Sequence, residues 1–234
     1  MSSYCVRTLL LPVMLVLCTT AAAQQTSLQT DQQKYGYAVG TRIAAQLMAQ
    51  FNQDGSGIDM QALAAGISDV VNGGSRLMTD EEAFQIIENR QAAVQQEAEA
   101  RAEAVAMAGA EWRAENRKQD GVSQTESGLQ YSVIISGEAS APSPGPDDTV
   151  VVHYRGTFLD GTEFDSSYSR GVPATFSLNG IIPGWQEALQ LMRAGDKWNV
   201  VIPPELAYGP RGSGAIGPNE TLLFEIELLE VKGG

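Results

Sequence analysis

An apolar residue recurs at every fourth position after Thr30, where TDQQ has the capping-box pattern that begins a helix. These residues are Tyr35, Val39, Ile43, Leu47 and Phe51. After NQDGSG, Asp59 begins a second predicted helix, whose apolar stripe is formed by Leu63, Ile67, Val70 and Val71. Each helix therefore has one apolar face that must be covered. Packing of the two helices on each other and contact with a second copy of the chain both satisfy this pattern.

The segment from Thr79 to Lys118 predicts one long helix. It begins with a second capping box, TDEE, and contains no proline and one glycine, Gly109. At a rise of 1.5 Å per residue, a helix of roughly 40 residues is about 60 Å long. Its heptad seam is weak after Ala98 and apolar before it, at Phe84, Ile87 and Val94. We therefore expect packed first turns followed by a solvated stalk.

The second half of the chain has the patterns of strands. They cover residues 129–135 and the segments TVVVHYRGTF, EFDSS, ATFSLN and KWNVVIP, with a tight turn at the Asp-Gly step of LDGT. The last segment, TLLFEIELLEV, alternates, with one face formed by Leu222, Phe224, Ile226 and Leu228. One helix begins at Pro183. A sheet of about five strands with no helix between successive strands predicts an α+β domain behind the helical region.

Residues 1–23 have the pattern of a secretory signal peptide. A basic residue precedes the apolar run LLLPVMLVLC, and small residues ending in AAA predict cleavage before Gln24. The run is too short to span a bilayer, although an uncleaved anchor is the alternative. Both cysteines, Cys5 and Cys18, lie in this segment, so the mature chain has no thiol chemistry. Leu17 does not fit the small residue that lipoproteins have before a lipidated cysteine, which disfavours lipidation of Cys18.

The charge balance excludes nucleic acid and anionic lipid surfaces as partners. The formal net charge of the full sequence is −13. Cleavage before Gln24 removes one arginine and no acidic residue, so the net charge of the mature chain is one unit more negative. Polyanions are repelled by such a surface, and no run of lysine or arginine reverses it locally.

The usual catalytic groups are sparse. His153 is the only histidine and alternates with Val152 and Tyr154 on a predicted strand, which is typical of a structural role. One histidine and no mature cysteine exclude the common zinc sites. Nucleophile-elbow, P-loop and dinucleotide-binding motifs are absent. The carboxylates of Glu163 and Asp165 lie on one side of a strand, but no third group completes an acid–base site, and we interpret Glu163 as solvated.

Aromatic residues in this half come from five separate elements: Tyr154, Phe164, Trp185, Tyr208 and Phe224. If the sheet wraps the helix, they converge on one apolar hollow, which is the usual composition of a small-ligand site. An ordinary aromatic core satisfies the same pattern, so the residues alone leave both interpretations open.

Four ordered motifs carry a family resemblance: VVHYRGTFLDGTEFDSS, IIPGWQEALQLMRAGDK, IPPELAYGPRG and PNETLLFEIELL. Over residues 121–234 the chain closely resembles the FKBP-type peptidyl-prolyl cis-trans isomerases. Its two-part layout is similar to the macrophage infectivity potentiator type of bacterial FKBP, with a looser match in YAVGTRIAAQL and MTDEEA. The resemblance implies an FKBP-like antiparallel sheet wrapped on one short helix, preceded by an all-α domain with a long stalk helix.

The resemblance also implies a proline-binding pocket. Its catalytic positions match Asp165, Tyr208 and Ile182, the last through its backbone N–H. Its substrate-binding positions match Tyr154, Phe164, Ile181, Trp185, Ile216 and Phe224, with Trp185 as the floor. Arg170 matches a position that pairs with the aspartate. Ala174 and Ser213 depart from the family pattern, and the loop at 212–218 is one residue shorter, which affects the rim of the pocket.

The implied function is isomerisation of Xaa-Pro bonds in unfolded or exported polypeptides, with chaperone activity, no cofactor and no metal. Rapamycin-class macrolides are the implied inhibitors. The implied organisation is a signal peptide (1–23), an α-helical dimerisation segment (24–78), a connecting helix (79–120) and an isomerase domain (121–234). We expect an exported homodimer, with the periplasm, the outer membrane and secretion from the cell as the alternative locations. The alternatives are a non-catalytic periplasmic holdase chaperone and a surface interaction or virulence protein.

Overall fold

A computed structural model describes residues 27–54 and 57–233. The predicted signal peptide, Cys18 and the cleavage position lie outside these residues. The chain divides into two compact units, the first ending at Asn72 and the second beginning at Gly73. Among the described helices, none is both long enough and apolar enough to cross a membrane.

The first unit contains two helices, α1 (Asp31–Asp54) and α2 (Met60–Asn72). The predicted capping box of α1 is present, because the N–H of Gln33 donates to the Thr30 hydroxyl and the Thr30 N–H donates to the Gln33 side chain. Asp59 caps α2 by accepting from two backbone N–H groups of its first turn. Much of the apolar surface predicted on these helices is exposed in the isolated chain, namely Tyr35, Val39, Ile43, Ile67, Val70 and Val71.

The second unit begins with the long helix α3 (Asp80–Asn116), which has 37 residues. Its capping box is confirmed: Thr79 accepts from the Glu82 N–H, and the Glu82 carboxylate accepts from the Thr79 N–H. The expectation that its first turns are packed is wrong for the isolated chain, because Phe84 is 55% exposed and Ile87 56% exposed. The packed part of α3 is its C-terminal part.

Polar contacts and one glycine join the C-terminal part of α3 to the sheet. Gly109 is buried, and a Cβ added to it would lie 2.5 Å from the Thr221 hydroxyl oxygen. Arg113 donates to the same hydroxyl. Its carbonyl accepts from the Gln130 side chain at 2.8 Å, and the Asn219 side chain donates to the carbonyl of Ala102 at 3.1 Å. An apolar heptad pattern contains no information about polar or glycine contacts. For this reason the pattern indicated packing at the first turns of α3 and not at its C-terminal part.

Seven antiparallel strands form one sheet, in the order β1-β2-β6-β7-β3-β4, with β5 also paired to β3. The count exceeds the predicted one partly because β1 has three residues, too few for a periodic pattern. The strands are β1 (Val122–Gln124), β2 (Gln130–Ile135), β3 (Thr149–Thr157), β4 (Glu163–Ser166), β5 (Ala174–Ser177), β6 (Lys197–Ile202) and β7 (Leu222–Lys232).

The core lies between the sheet and helix α5 (Pro183–Leu191). The predicted alternation of β7 is confirmed, since one of its faces is buried, at Leu222, Phe224, Ile226 and Leu228. Opposite these residues α5 contributes Trp185, Ala188 and Leu189, followed by Met192. The predicted α+β class, a helical region followed by an antiparallel sheet on one helix, is therefore correct.

One edge of β3 is shared by two short strands. β5 pairs with β3 as far as Val152, and β4 pairs with it from Arg155 onward. The chain between β4 and β5 forms a four-residue helix, α4 (Ser167–Arg170). His153 and Tyr154 therefore lie where neither strand pairs with this edge of β3.

Substitution of Gly109 by alanine tests the contact between α3 and the sheet. Alanine is favoured over glycine in a helix by about 1 kcal/mol. Here the added methyl group meets the short, buried side chain of Thr221, and such overpacking costs about 1–3 kcal/mol. We expect Gly109→Ala to lower the free energy of unfolding, measured by urea denaturation followed by tryptophan fluorescence.

Thr221→Ala provides the matched background, because it removes the hydroxyl that the added methyl group meets. In that background Gly109→Ala is expected to be neutral or stabilising. An equal loss of stability in both backgrounds would contradict the contact between Gly109 and Thr221.

Candidate active site

Helix α5 enters the core at its N-terminus. Pro183 occupies its first turn, and Ile182 is the N-cap residue with an extended backbone. Gly184 permits a close approach to β6, because a Cβ at this position would lie 2.4 Å from a methyl carbon of Ile202. This approach brings Trp185 into the core, where it is 4% exposed.

Three aromatic rings meet the indole of Trp185 nearly at right angles. The ring centroids of Tyr154, Phe176 and Phe224 lie 5.1, 5.6 and 5.3 Å from that of Trp185. Phe164 continues the wall through a perpendicular contact with Phe224 at 5.6 Å. Edge-to-face packing of this kind is favourable between aromatic rings and fixes their orientations.

These rings enclose part of a cavity of about 470 Å³. The structure brings together around it all of the predicted pocket residues except Ile216. Its lining comprises Tyr154, Phe164, Asp165, Phe176, Gly180, Ile181, Ile182, Trp185, Tyr208 and Phe224. Ile216 packs against the edge of the core and forms an isolated β-bridge with Ser213.

Phe176 and Gly180 line the cavity although the sequence did not single them out. Phe176 lies on the same face of β5 as Ala174, and both pack against the core. The alternation of the ATFSLN segment already indicated this shared face. Gly180 carries no comparable signal. Ala174 is half-buried against the core, and Ser213 is exposed on the loop before β7.

A polar cluster occupies one wall of the cavity. The Tyr154 hydroxyl donates to Asp165 Oδ2 at 2.5 Å and accepts from Arg170 Nη2 at 2.7 Å. Arg170 Nη1 donates to Asp165 Oδ1 at 2.5 Å. Each member therefore contacts the other two, and α4 holds Arg170 only a few residues from Asp165.

The cluster shifts the pKa of each member away from neutral pH. Burial raises the pKa of Tyr154, and the hydrogen bond to Asp165 adds to this effect. Burial opposes ionisation of Asp165, but the hydrogen bonds from Tyr154 and Arg170 outweigh it and lower its pKa. The same bonds raise the pKa of Arg170. The carboxylate, the phenol and the guanidinium thus keep one protonation state across the neutral range.

Two hydrogen-bond donors at the cavity have no partner among the residues that the structure describes: the Ile182 backbone N–H and the Tyr208 hydroxyl. The carbonyl of Ile181 accepts from the Gln186 side chain at 2.7 Å, which fixes the backbone beside the Ile182 N–H. Both donors are available to the carbonyl groups of a bound peptide.

Other candidate groups lie outside the cavity. His153 stacks on Tyr168 with ring centroids 4.7 Å apart, and Glu163 pairs with Arg155 at 3.0 Å. Residues 27–54 and 57–233 contain no group of three or more His, Cys, Asp or Glu side chains that could hold a metal ion. A second cavity, of about 440 Å³, is lined by Trp112 of α3 and by residues of the sheet that include Tyr131 and Arg155.

Two family models match the chain. One, described as FKBP-type peptidyl-prolyl cis-trans isomerase, matches residues 141–229. The other, described as the domain amino terminal to FKBP-type peptidyl-prolyl isomerase, matches residues 32–133. The second match continues through α3 and β1 into β2.

Relatives of known name match most of the chain. It is 42% identical over 217 residues to the outer membrane protein MIP of Legionella longbeachae, with 91% of each chain covered. It is 40% identical over 220 residues to the FKBP-type peptidyl-prolyl cis-trans isomerase FkpA of Escherichia coli K12, covering 91% of this chain and 80% of that protein.

Solved structures of peptidyl-prolyl isomerases also match the chain. The crystal structure of FkpA from Escherichia coli matches with a TM-score of 0.63 and 40% identity, covering 88% of this chain and 99% of that one. A peptidyl-prolyl isomerase from Pseudomonas syringae matches with a TM-score of 0.52 and 37% identity, covering 56% of this chain and 95% of that one. The chain therefore belongs to the FKBP-type peptidyl-prolyl cis-trans isomerases, in the two-domain form of the Mip and FkpA proteins.

Proposed function

We propose that the cavity around Trp185 is where this isomerase binds proline and accelerates rotation about the Xaa-Pro bond of exported polypeptides. One observation carries the proposal: an aromatic enclosure floored by Trp185 has two free donors at its margin, from Ile182 and Tyr208. A pyrrolidine ring fits such an enclosure, and the flanking peptide carbonyls supply acceptors for the donors.

The reaction makes and breaks no covalent bond, so it requires no nucleophile. Its barrier of about 18–20 kcal/mol is the amide resonance that is lost as the C–N bond rotates. A twisted amide has less charge separation than a planar one, so transfer from water into an apolar site favours the twisted state. This difference in binding between the transition state and the ground state lowers the barrier.

The donors act by holding the bent peptide in place. The Ile182 N–H belongs to the N-cap of α5 and the Tyr208 hydroxyl to a separate loop, so two carbonyls on either side of the proline are each given a donor. Fixed donors need no reorganisation during the rotation. Asp165 lies in the wall of the cavity, and its hydrogen bonds to Tyr154 and Arg170 hold these side chains in one arrangement.

A chaperone role accompanies catalysis in this proposal. The first unit and the start of α3 expose apolar side chains that include Tyr35, Val71 and Phe84, at 74%, 76% and 55%. A homodimer formed through these helices covers part of this surface and places two cavities in one particle. Binding a non-native chain at two points raises its affinity without new contacts. The relative named outer membrane protein MIP supports export of this chain from the cytoplasm to the periplasm or outer membrane.

Isomerase activity toward short Xaa-Pro peptides tests the assignment of the cavity. In a chymotrypsin-coupled assay, we expect Tyr208→Phe and Asp165→Ala each to lower kcat/KM by roughly tenfold, equivalent to about 1.4 kcal/mol. The Tyr208 hydroxyl has no partner among the described residues, so its removal leaves the fold intact. We also expect a rapamycin-class macrolide to inhibit the unaltered protein by occupying the cavity.

Glu163→Gln is a suitable control, because Glu163 is an exposed carboxylate on the same strand as Asp165 and does not line the cavity. Equal losses in Glu163→Gln and Asp165→Ala would contradict the role of Asp165. Full activity in the presence of saturating macrolide would contradict the assignment of the cavity.

The pH dependence follows from the polar cluster. The pKa of Asp165 is lowered, so the stabilising contacts of its carboxylate persist above its ordinary value and are lost as pH falls through the value in the folded state. We expect kcat/KM to be flat between about pH 5 and pH 8. Arg170→Ala removes one of the causes and should move the acid limb to higher pH.

Dimerisation through the helical unit is tested by analytical ultracentrifugation of residues 24–234. We expect a dimer at micromolar concentration, because exposed apolar faces of this extent are costly in water. Val71→Lys, at a position that is 76% exposed in the isolated chain, should shift the equilibrium toward monomer, whereas Leu191→Lys, on α5, should not. A monomeric wild-type protein would rule the proposal out.

A further inference from the structure

On the edge of β3 that β4 and β5 share, one residue of the active-site cluster has no strand partner. β5 ends its pairing at Val152 and β4 begins at Arg155, so Tyr154 lies between them. Its backbone N–H and C=O point toward this edge, and Tyr154 is 4% exposed. Unpaired backbone groups at a buried position are costly, so another group must satisfy them.

The hydroxyl of Ser167 satisfies both. It accepts from the Tyr154 N–H at 2.8 Å and donates to the Tyr154 carbonyl at 3.2 Å. Ser167 is fully buried and is the first residue of α4. One side-chain oxygen therefore replaces the two backbone hydrogen bonds that a neighbouring strand would make.

A third contact joins the Ser167 hydroxyl to a nearby ring. The Ser167 oxygen lies 3.0 Å from His153 Nδ1. A hydroxyl has one proton and two acceptor sites, and its proton can be directed to the Tyr154 carbonyl at 3.2 Å or to the ring nitrogen at 3.0 Å. Donation to the carbonyl leaves only an acceptor site toward the ring, and His153 then carries a proton on Nδ1. Both the neutral Nδ1–H tautomer and the imidazolium meet this requirement.

The position of Ser167 connects its hydroxyl to the cavity. Asp165 precedes it by two residues and Arg170 follows it by three, and both contact the Tyr154 hydroxyl, at 2.5 and 2.7 Å. By holding the Tyr154 backbone, Ser167 sets the separation between β3 and the segment that carries the other two members. Loss of this bond lets all three drift relative to one another.

We infer that Ser167 is a positioning residue for isomerisation, held in turn by the Nδ1–H of His153. Neither side chain lines the cavity, so both act through Tyr154. The inference rests on the function proposed for the cavity. It extends that function to a buried hydroxyl of the FDSS segment and to the single histidine of the chain.

Activity measurements provide the first test. We expect Ser167→Ala to fold, by near-ultraviolet circular dichroism, but to lower kcat/KM roughly tenfold, since small misplacements of a positioned group have effects of this order or larger. Ser167→Thr keeps the hydroxyl and should restore activity. Thr221→Val is the matched control: it removes another buried hydroxyl, one that contacts Arg113 outside the cavity, and should retain activity.

The ring of His153 provides a readout that stability alone does not change. Because the chain has one histidine, ¹⁵N spectra of the imidazole need no assignment. We expect a protonated Nδ1 and an unprotonated Nε2 in the neutral ring. In Ser167→Ala the Nδ1 proton loses its acceptor, and the ring should move toward a mixture of tautomers.

The outcomes separate this inference from the proposed function. If Tyr208→Phe and Asp165→Ala lower activity but a folded Ser167→Ala does not, the positioning role alone is overturned. An unprotonated Nδ1 in the unaltered protein also overturns it. If Ser167→Ala does not fold, two other results decide. A protonated Nδ1 in the unaltered protein together with an active Ser167→Thr supports the positioning role, and failure of either contradicts it.

Discussion

The close approach of α5 to β6 is the constraint on which the cavity depends. No side chain is tolerated at Gly184, because a Cβ there would meet Ile202 at 2.4 Å. Only this short separation lets the indole of Trp185 reach the rings of Tyr154 and Phe224 across the core. The same requirement recurs on β3, where a Cβ at Gly156 would lie 2.7 Å from the ring of Phe164. Two positions without side chains thus create the space that four aromatic rings then enclose.

The site combines a rigid apolar floor with a polar wall whose charges are balanced internally. Asp165 and Arg170 neutralise each other, and the Tyr154 hydroxyl joins them through both of its hydrogen-bonding functions. No net charge therefore faces the cavity from this wall. That arrangement suits a reaction in which the substrate loses polarity as it reaches the transition state. A charged wall would instead favour the planar, more polar amide.

Periodicity predicted the helices of the first unit, the capping box of α3 and the buried face of β7, because each depends on spacing along one element. It placed Trp185 in the core but did not distinguish core from cavity, since both require an apolar position; the family motifs made that distinction. In the isolated chain, α3 packs at its C-terminal part and not at the first turns, where packing was predicted. Its contacts use Gly109, Arg113 and Asn219, and a pattern of apolar residues contains no information about them. The role of Ser167 depends on where β4 and β5 stop pairing, which is a property of the assembled sheet.

The hydrogen bond from the Asn219 side chain to the Ala102 carbonyl joins α3 to the loop that precedes β7. The backbone N–H of Asn219 also donates to Gly209, the residue after Tyr208. Helix α3 is therefore tied, through one asparagine, to the loop that carries a donor of the cavity. A fragment beginning after α3 retains every lining residue yet loses this tether. Cutting the chain at residue 121 therefore removes a contact that supports the loop beside Tyr208.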